Sequence, residues 1–167
     1  MELWILRTTH LTTGVLWVGA AAFIGFFLMP AIREQGPSGA AVMVGVVRRK
    51  FPIVLNVIGL LNVVSGLRLY MLSYSGEWLS TGTGILLSVG AVCGLGAFVV
   101  GTVLQRPLAT KLGQLAAAIR EAGTPPSPAQ QSELETLGRR LAAAARHNGA
   151  LLVFTALCMA ASRYAPF

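Results

Sequence analysis

One of the two histidines of this 167-residue chain lies within a long apolar segment, and it is the first candidate for chemistry. At helical spacing, His10 shares a face with Arg7, Gly14, Trp17 and Ala21. An imidazole can bind a metal or haem iron through one nitrogen while a hydrogen-bond acceptor, such as a nearby threonine hydroxyl, orients the other. A hydrogen bond to a neighbouring helix and proton transfer are the other roles open to His10.

Three arginines are expected at the same membrane depth as His10: Arg7, Arg68 and Arg163. A guanidinium group pairs well with carboxylates, and haem propionates are carboxylates. We therefore expect Arg7 and Arg68 to contact the propionates of a haem that His10 binds, with Gly14 and Trp17 beside the ring. The alternative for Arg68 and Arg163 is that they extend toward the lipid headgroups.

Sulfur-containing side chains also occur at this depth, at Met71, Cys158 and Met159. Thioether, thiolate and imidazole groups together favour Cu(I), so these residues and His10 form an alternative copper site. A second axial ligand of a haem, if there is one, would be Met71, Met159 or a residue of a partner subunit. Ordinary apolar packing is the alternative role for each of these three sulfur-containing residues. The other histidine, His147, is expected at the opposite depth, so it does not complete a bis-histidine haem within one chain.

The composition indicates which environment must hold these residues. Charged residues make up 11% of the chain and hydrophobic residues 54%, with a mean hydropathy of +0.69. A soluble domain carries about a quarter charged residues, so a soluble enzyme is excluded. Two cysteines are too few for a disulfide-stapled module. No carboxylate pair or nucleotide-binding motif occurs, so whether the protein is an enzyme stays open.

Four segments are long and apolar enough to cross a bilayer, which requires about 20 residues. The predicted spans are residues 4–30, 51–74, 79–105 and 143–163. The sequence thus predicts one all-α domain over residues 1–167, a polytopic membrane protein with four transmembrane helices in an antiparallel bundle. No basic residue precedes Arg7, so the first span is not expected to be a cleaved signal peptide.

The basic residues predict the orientation. Lys and Arg number 13 against 6 acidic residues, a net charge of +7. Four spans place both termini on one side, and ten of the cations fall on the other side. Because positive loops stay in the cytoplasm, we expect a multi-pass protein of the bacterial inner membrane with both termini periplasmic. The positive net charge therefore reflects the orientation of the protein in the lipid bilayer, which is its predicted partner. It does not indicate nucleic-acid binding.

A cytoplasmic helical hairpin is predicted over residues 107–142, between the third and fourth spans. Apolar residues recur at helical spacing on both sides of a break at residues 123–126. Ser127, Pro128 and Gln130 have the pattern of a capping box at the start of the second helix. The hairpin is either a solvated extension or a docking surface for a partner subunit.

Small and polar residues within the spans predict contacts between helices. Glycines and alanines at a spacing of three or four allow close packing, or leave room for a flat macrocycle; they are Gly14, Ala21, Gly25, Gly90, Gly94, Ala97 and Gly101. Asn56, Asn62 and Ser65 give the second span a polar edge, which favours hydrogen bonds to another helix.

Short motifs of the first two spans, and one that follows the third span, resemble a known family. They are His10-x6-Trp17-Val18-Gly19-Ala20, Phe26-Phe27-Leu28-Met29-Pro30-Ala31, Ser65-Gly66-Leu67-x-Leu69 and Arg106-Pro107. The first span resembles the opening helix of CopD-type membrane proteins, and its His-to-Trp spacing is similar to that of HemJ-type protoporphyrinogen oxidases. The resemblance covers roughly residues 3–115. It implies a four-helix bundle with a periplasm-facing site around His10, and either copper uptake or haem b binding.

The leading hypothesis is a small membrane protein that binds haem b at His10. It would serve as an electron-transfer or accessory subunit of a larger membrane complex, with partner membrane subunits or further copies of itself. A copper-handling protein and a structural subunit without a cofactor are the alternatives.

Overall fold

The computed structural model describes residues 1–73 and 76–165, and all regular structure within them is helical. The elements are α1 (Glu2–Phe23), a first π-helical segment (Ile24–Leu28), α2 (Met29–Glu34), α3 (Pro37–Arg48), α4 (Phe51–Ser73), α5 (Gly76–Leu79), α6 (Gly82–Val99), a second π-helical segment (Val100–Gln105), α7 (Arg106–Ala122), α8 (Pro128–Ala161) and a 3₁₀ turn (Ser162–Tyr164). The predicted all-α fold is confirmed.

Four helical stretches are long and apolar enough to span a membrane: Glu2–Glu34, Phe51–Leu72, Gly82–Ala122 and Pro128–Tyr164. Each overlaps one predicted span. The first and fourth predicted spans lie wholly inside their stretches, the third begins three residues before Gly82, and the predicted end of the second, Tyr74, lies outside the described residues. Three of these stretches are longer than the roughly 30 Å of a hydrocarbon core requires, at about 1.5 Å per residue.

Large apolar side chains are exposed along all four stretches. Val15 is 73% exposed on α1, Val64 58% on α4, Val92 71% on α6 and Leu157 62% on α8. Soluble monomers rarely expose apolar surface so extensively, because it drives association in water. Contact with lipid acyl chains removes that penalty, so this surface agrees with a multi-pass membrane protein.

The helix ends follow the local sequence. Ser127 Oγ accepts a hydrogen bond from the backbone N–H of Gln130 at 3.2 Å, and Gln130 Oε1 accepts one from the N–H of Ser127 at 2.8 Å. The predicted capping box at the start of α8 is therefore confirmed. Helix α7 ends at Gly123, whose φ of 65° lies in the left-handed region that favours glycine.

Replacing Ser127 with Ala is expected to lower the free energy of unfolding by about 1 kcal/mol, because the N–H of Gln130 loses its acceptor at a helix end. The measurement is the apparent melting temperature of the purified protein in detergent. Ser132→Ala, at an exposed position inside the same helix, is the matched control and should leave the melting temperature unchanged or slightly raised. Equal melting temperatures for both variants would contradict the capping role.

Two buried clusters lie along the helices. One cluster lies where α1 and α6 each pack against α4 and α8. Its buried members are Trp17, Ala21, Ala97 and Leu152. The second joins α2, α3, α7 and α8, and its buried members are Met29, Met43, Ala109, Leu112, Leu137, Leu141 and Ala145. The leucines of α7 and α8 thus meet, and a salt bridge from Lys111 Nζ to Glu133 Oε1 at 2.9 Å lies beside them.

The first long stretch, in which α1 continues into the first π-helical segment, approaches α8 closely through small residues. A Cβ atom built on Gly25 would lie 2.6 Å from the carbonyl oxygen of Ala145, and one built on Gly149 would lie 3.0 Å from that of Ala21. Each helix thus contributes an alanine and, four residues later, a glycine. The sequence predicted Ala21 and Gly25 as packing residues; the matching pair on α8 was missed, although it has the same spacing.

Candidate functional site

His10 lies between α1 and α4, with its ring held by a backbone carbonyl group. The Nδ1 atom lies 2.9 Å from the carbonyl oxygen of Asn62 and 3.5 Å from Ser65 Oγ. A carbonyl oxygen only accepts hydrogen bonds, so Nδ1 carries the hydrogen and donates it. In the neutral ring this leaves the lone pair on Nε2, which is the tautomer that a metal-binding histidine requires.

Asn62 completes a reciprocal set of hydrogen bonds between the two helices. Its side-chain Nδ2 donates to the carbonyl oxygen of His10 at 2.7 Å and to Thr13 Oγ1 at 3.2 Å, and the residue is 9% exposed. The predicted role of Asn62 in bonding between helices is confirmed. Asn56 has a similar role, because its Oδ1 accepts a hydrogen bond from Thr102 Oγ1 of the second π-helical segment at 2.8 Å.

The expectation that a threonine hydroxyl orients His10 is wrong. Thr13 Oγ1 donates to the carbonyl oxygen of Thr9, one turn earlier in its own helix, at 2.7 Å. A threonine within a helix bonds readily to the carbonyl four residues before it, and Thr13 Oγ1 accepts its other hydrogen bond from Asn62 Nδ2, not from His10. The group that orients His10 comes instead from the backbone of another helix, which no side-chain pattern in the sequence reveals.

Glycines admit side chains of neighbouring helices around this site. A Cβ atom on Gly66 would lie 2.6 Å from His10 Cε1 and 3.0 Å from Nδ1, and one on Gly14 would lie 3.0 Å from Asn62 Nδ2. Beside the third-span glycines, Gly90 and Gly94, the nearest side chains come from α8 and are those of Cys158, Met159 and Thr155. Within the chain, the space beside these glycines is therefore occupied by atoms of neighbouring helices.

The two arginines predicted to contact propionates are in different situations. Arg68 donates through Nε to Glu2 Oε1 at 2.8 Å, and its Nη2 lies 2.7 Å from the same oxygen. Both side chains are about half exposed, at 49% and 58%, so this ion pair is a surface one. Arg7 is exposed and takes part in neither of the ion pairs found within residues 1–73 and 76–165.

Trp17 is a buried residue between the helices. It is 6% exposed, its ring centroid lies 6.2 Å from that of Phe98 at an interplanar angle of 74°, and a Cβ atom on Gly59 would lie 3.0 Å from it. Its edge-to-face contact with Phe98 is a favourable aromatic geometry. Trp17 thus lies on the same face as His10, as the helical spacing predicts, and that face packs against other helices.

The candidate copper ligands are divided between helix pairs. Cys158 and Met159 of α8 pack against Gly90 of α6, whereas His10 contacts α4. The Met71 side chain is 60% exposed on α4. In the described part of the chain, no group of three or more His, Cys, Asp or Glu residues is arranged to hold a metal ion. The candidate copper ligands thus contact different helices.

A second candidate site, which the sequence did not indicate, lies at the opposite end of the long helices from His10. There a cavity of about 100 Å³ lies between the four long helices. Among its lining residues, Asn148 is 4% exposed and donates through Nδ2 to Gln105 Oε1 at 3.3 Å. The only signal in the sequence was a pair of side-chain amides, Gln105 and Asn148, near the loop ends of the third and fourth spans.

Comparisons with models of protein families, with curated proteins and with solved structures found no match for this chain.

Proposed function

We propose that this chain is a multi-pass protein of the bacterial inner membrane whose four long helices form an antiparallel bundle. The order of the contacts supports this. Glu2 pairs with Arg68, whereas Trp17, later in α1, packs against Gly59, earlier in α4. The third and fourth helices follow the same reversed order, with Thr83 on Ser162, Gly94 on Thr155 and Gln105 on Asn148.

In this proposal both termini are periplasmic, and α7 with the first half of α8 forms a cytoplasmic hairpin. Ten of the thirteen Lys and Arg residues then lie on the cytoplasmic side, in agreement with the positive-inside rule. The salt bridge between Lys111 and Glu133 and the shared cluster of Leu112, Leu137 and Leu141 support the pairing of the two hairpin helices.

The proposed activity is haem b binding through Nε2 of His10, in an electron-transfer or accessory subunit of a larger membrane complex. One observation carries it: Nδ1 of His10 donates to the carbonyl oxygen of Asn62, which leaves the Nε2 lone pair available as an axial ligand. Bound there, a haem would supply one-electron transfer. His10 would bind the iron, and Asn62 and Gly66 would hold its imidazole ring in place.

The packing around His10 favours a haem site shared with another chain. The space beside Gly14 is taken by Asn62, so the macrocycle does not fit between α1 and α4. Exposed apolar residues that flank His10 on α1, such as Leu11 at 67%, offer a surface for a partner subunit or a second copy. Exposed Arg7 remains available for a propionate on that side, whereas Arg68 is paired with Glu2.

His10→Ala is expected to abolish the Soret absorption band of protein purified from haem-replete cells, because the axial nitrogen is removed. The measurement is the absorption spectrum, with haem quantified against protein. His147→Ala is the matched control. His147 is exposed, and its Nδ1 donates to the carbonyl oxygen of Ala143 within α8 at 2.8 Å, so its loss should leave the band unchanged. A colourless wild-type protein, or a band that survives His10→Ala, contradicts haem binding at this residue.

A structural subunit without a cofactor is the second candidate, and the Asn62 hydrogen bonds favour it. In this case His10 serves only to join α1 to α4, and the purified protein is colourless and free of metal. Loss of His10 then lowers the melting temperature without any spectral change, which separates this function from haem binding. Copper handling is less well supported because the sulfur ligands contact a different helix pair from His10.

A further inference from the structure

A groove with positively charged walls lies between α3 and α7, away from the site around His10. Its volume of about 380 Å³ falls within the roughly 300–1,000 Å³ of small-molecule sites. The two helices meet at Gly113, where an added Cβ atom would lie 3.1 Å from Val47 Cγ1. Because they are far apart in the chain, only their packing forms the groove. Its lining residues are Ala41, Val44, Gly45, Arg48, Arg49 and Arg120.

The three arginines of the groove have no acidic partner in the described part of the chain. Neither of the two ion pairs found within residues 1–73 and 76–165 includes them, and none of the residues that line the groove is acidic. Arg49 Nη1 lies 3.5 Å from the carbonyl oxygen of Gly45, a long contact that uses one of its five N–H groups. Like charges around one groove repel each other, so a bound anion would lower their electrostatic energy.

Lys50 adds a fourth positive charge next to the groove. It follows Arg49 directly, and its φ of 57° lies in the left-handed region that favours glycine. A glycine would turn the chain from α3 into α4 without strain, so the lysine is present at a conformational cost. Positive charge is thus concentrated immediately before Phe51, the first residue of α4.

The groove also borders the start of an apolar span. Helix α4 contains one of the stretches long and apolar enough to cross a membrane, and this stretch begins at Phe51. Ile53 and Val54, near the start of α4, are 46% and 49% exposed, so acyl chains can contact them. Guanidinium groups bind phosphate through charge-assisted hydrogen bonds, and basic pockets beside membrane spans bind anionic headgroups.

We propose that this groove binds the phosphate group of an anionic phospholipid through Arg48, Arg49 and Arg120. A lipid is favoured over free phosphate because exposed apolar residues of α4 begin within five residues of Arg48. The bound phosphate accepts hydrogen bonds from both helices and so links α3 to α7. The proposal requires that the chain spans a membrane, but it is independent of haem binding, since it uses none of the residues described around His10.

Native mass spectrometry of the protein purified in detergent tests the proposal. The probes are phosphatidylglycerol, whose headgroup is anionic, and phosphatidylcholine, whose headgroup has no net charge. They carry identical acyl chains, deuterated in one of them, and are titrated together. The wild-type protein should bind its first phosphatidylglycerol about tenfold more tightly than phosphatidylcholine, because only the former brings a net negative charge to the arginines.

Removing one arginine from each helix should weaken this binding selectively. Arg49→Gln combined with Arg120→Gln is expected to lower the affinity for phosphatidylglycerol about 25-fold, about fivefold for each arginine. Arg139→Gln combined with Arg140→Gln is the matched control. It removes the same charge from exposed positions of α8 outside the groove, so its affinity should equal that of the wild type.

Equal affinities of the two lipids for the wild-type protein would overturn the proposal. An equal loss in both double variants would also overturn it, because the attraction would then come from the total charge of the protein. Inorganic phosphate alone, titrated by calorimetry, should bind far more weakly than phosphatidylglycerol. If it binds as tightly, and through Arg49 and Arg120, the groove takes a free anion and not a lipid. The wild-type titrations need no variant, so the proposal stays testable if a variant does not fold.

Discussion

Replacing Gly25 with Ala is expected to lower the free energy of unfolding by about 1–3 kcal/mol, the usual penalty of overpacking. The added Cβ atom would lie 2.6 Å from the carbonyl oxygen and 3.0 Å from the carbonyl carbon of Ala145. Both are backbone atoms of α8, so no side-chain rotation relieves the clash and the two helices must separate. The measurement is the apparent melting temperature in detergent.

Gly19→Ala on the same helix is the matched control, because no atom lies within 4 Å of its Cβ position. It should leave the melting temperature unchanged or raise it, since alanine favours the helix more than glycine does. Gly149→Ala, whose Cβ atom would lie 3.0 Å from the carbonyl oxygen of Ala21, should have an intermediate effect. Equal melting temperatures for Gly25→Ala and Gly19→Ala would show that α1 and α8 do not meet through these residues.

Elements that depend on local sequence were predictable. The capping box of Ser127, the break at Gly123 and the spans themselves follow from residue types at short spacing, because the interactions that form them lie within a few residues. Helix α3 begins at Pro37, in agreement with the preference for proline in the first turn of a helix. The contribution of its Met43 to a buried cluster was not predicted, since it depends on which helices pack together.

The candidate site was only partly predictable for the same reason. The sequence singled out His10 and its face, because an ionisable residue within an apolar span is costly and therefore conspicuous. It did not reveal that the carbonyl group of Asn62 orients the ring, nor that Glu2 pairs with Arg68. These partners are 52 and 66 residues apart in the chain, and only the packing of α4 against α1 brings them together.

Replacing Gly66 with Ala is expected to displace the ring of His10. All three of the atoms nearest to the new Cβ position belong to that ring, at 2.6 Å for Cε1, 3.0 Å for Nδ1 and 3.5 Å for Nε2. The ring must move, and the hydrogen bond from Nδ1 to the carbonyl oxygen of Asn62 is lost with it. We expect a fall of about 1–3 kcal/mol in the free energy of unfolding, and a shifted or weakened Soret band where haem is bound.

A double-mutant cycle isolates this contact, because the penalty of Gly66→Ala depends on the presence of the imidazole. In a His10→Ala background the added methyl group has no ring to displace, so Gly66→Ala should cost little or even stabilise the helix. Gly96→Ala, with open space at its Cβ position, should behave alike in both backgrounds. If Gly66→Ala lowered the melting temperature equally with and without His10, the ring would not pack against Gly66. The orientation that leaves Nε2 free as a ligand would then lose its support.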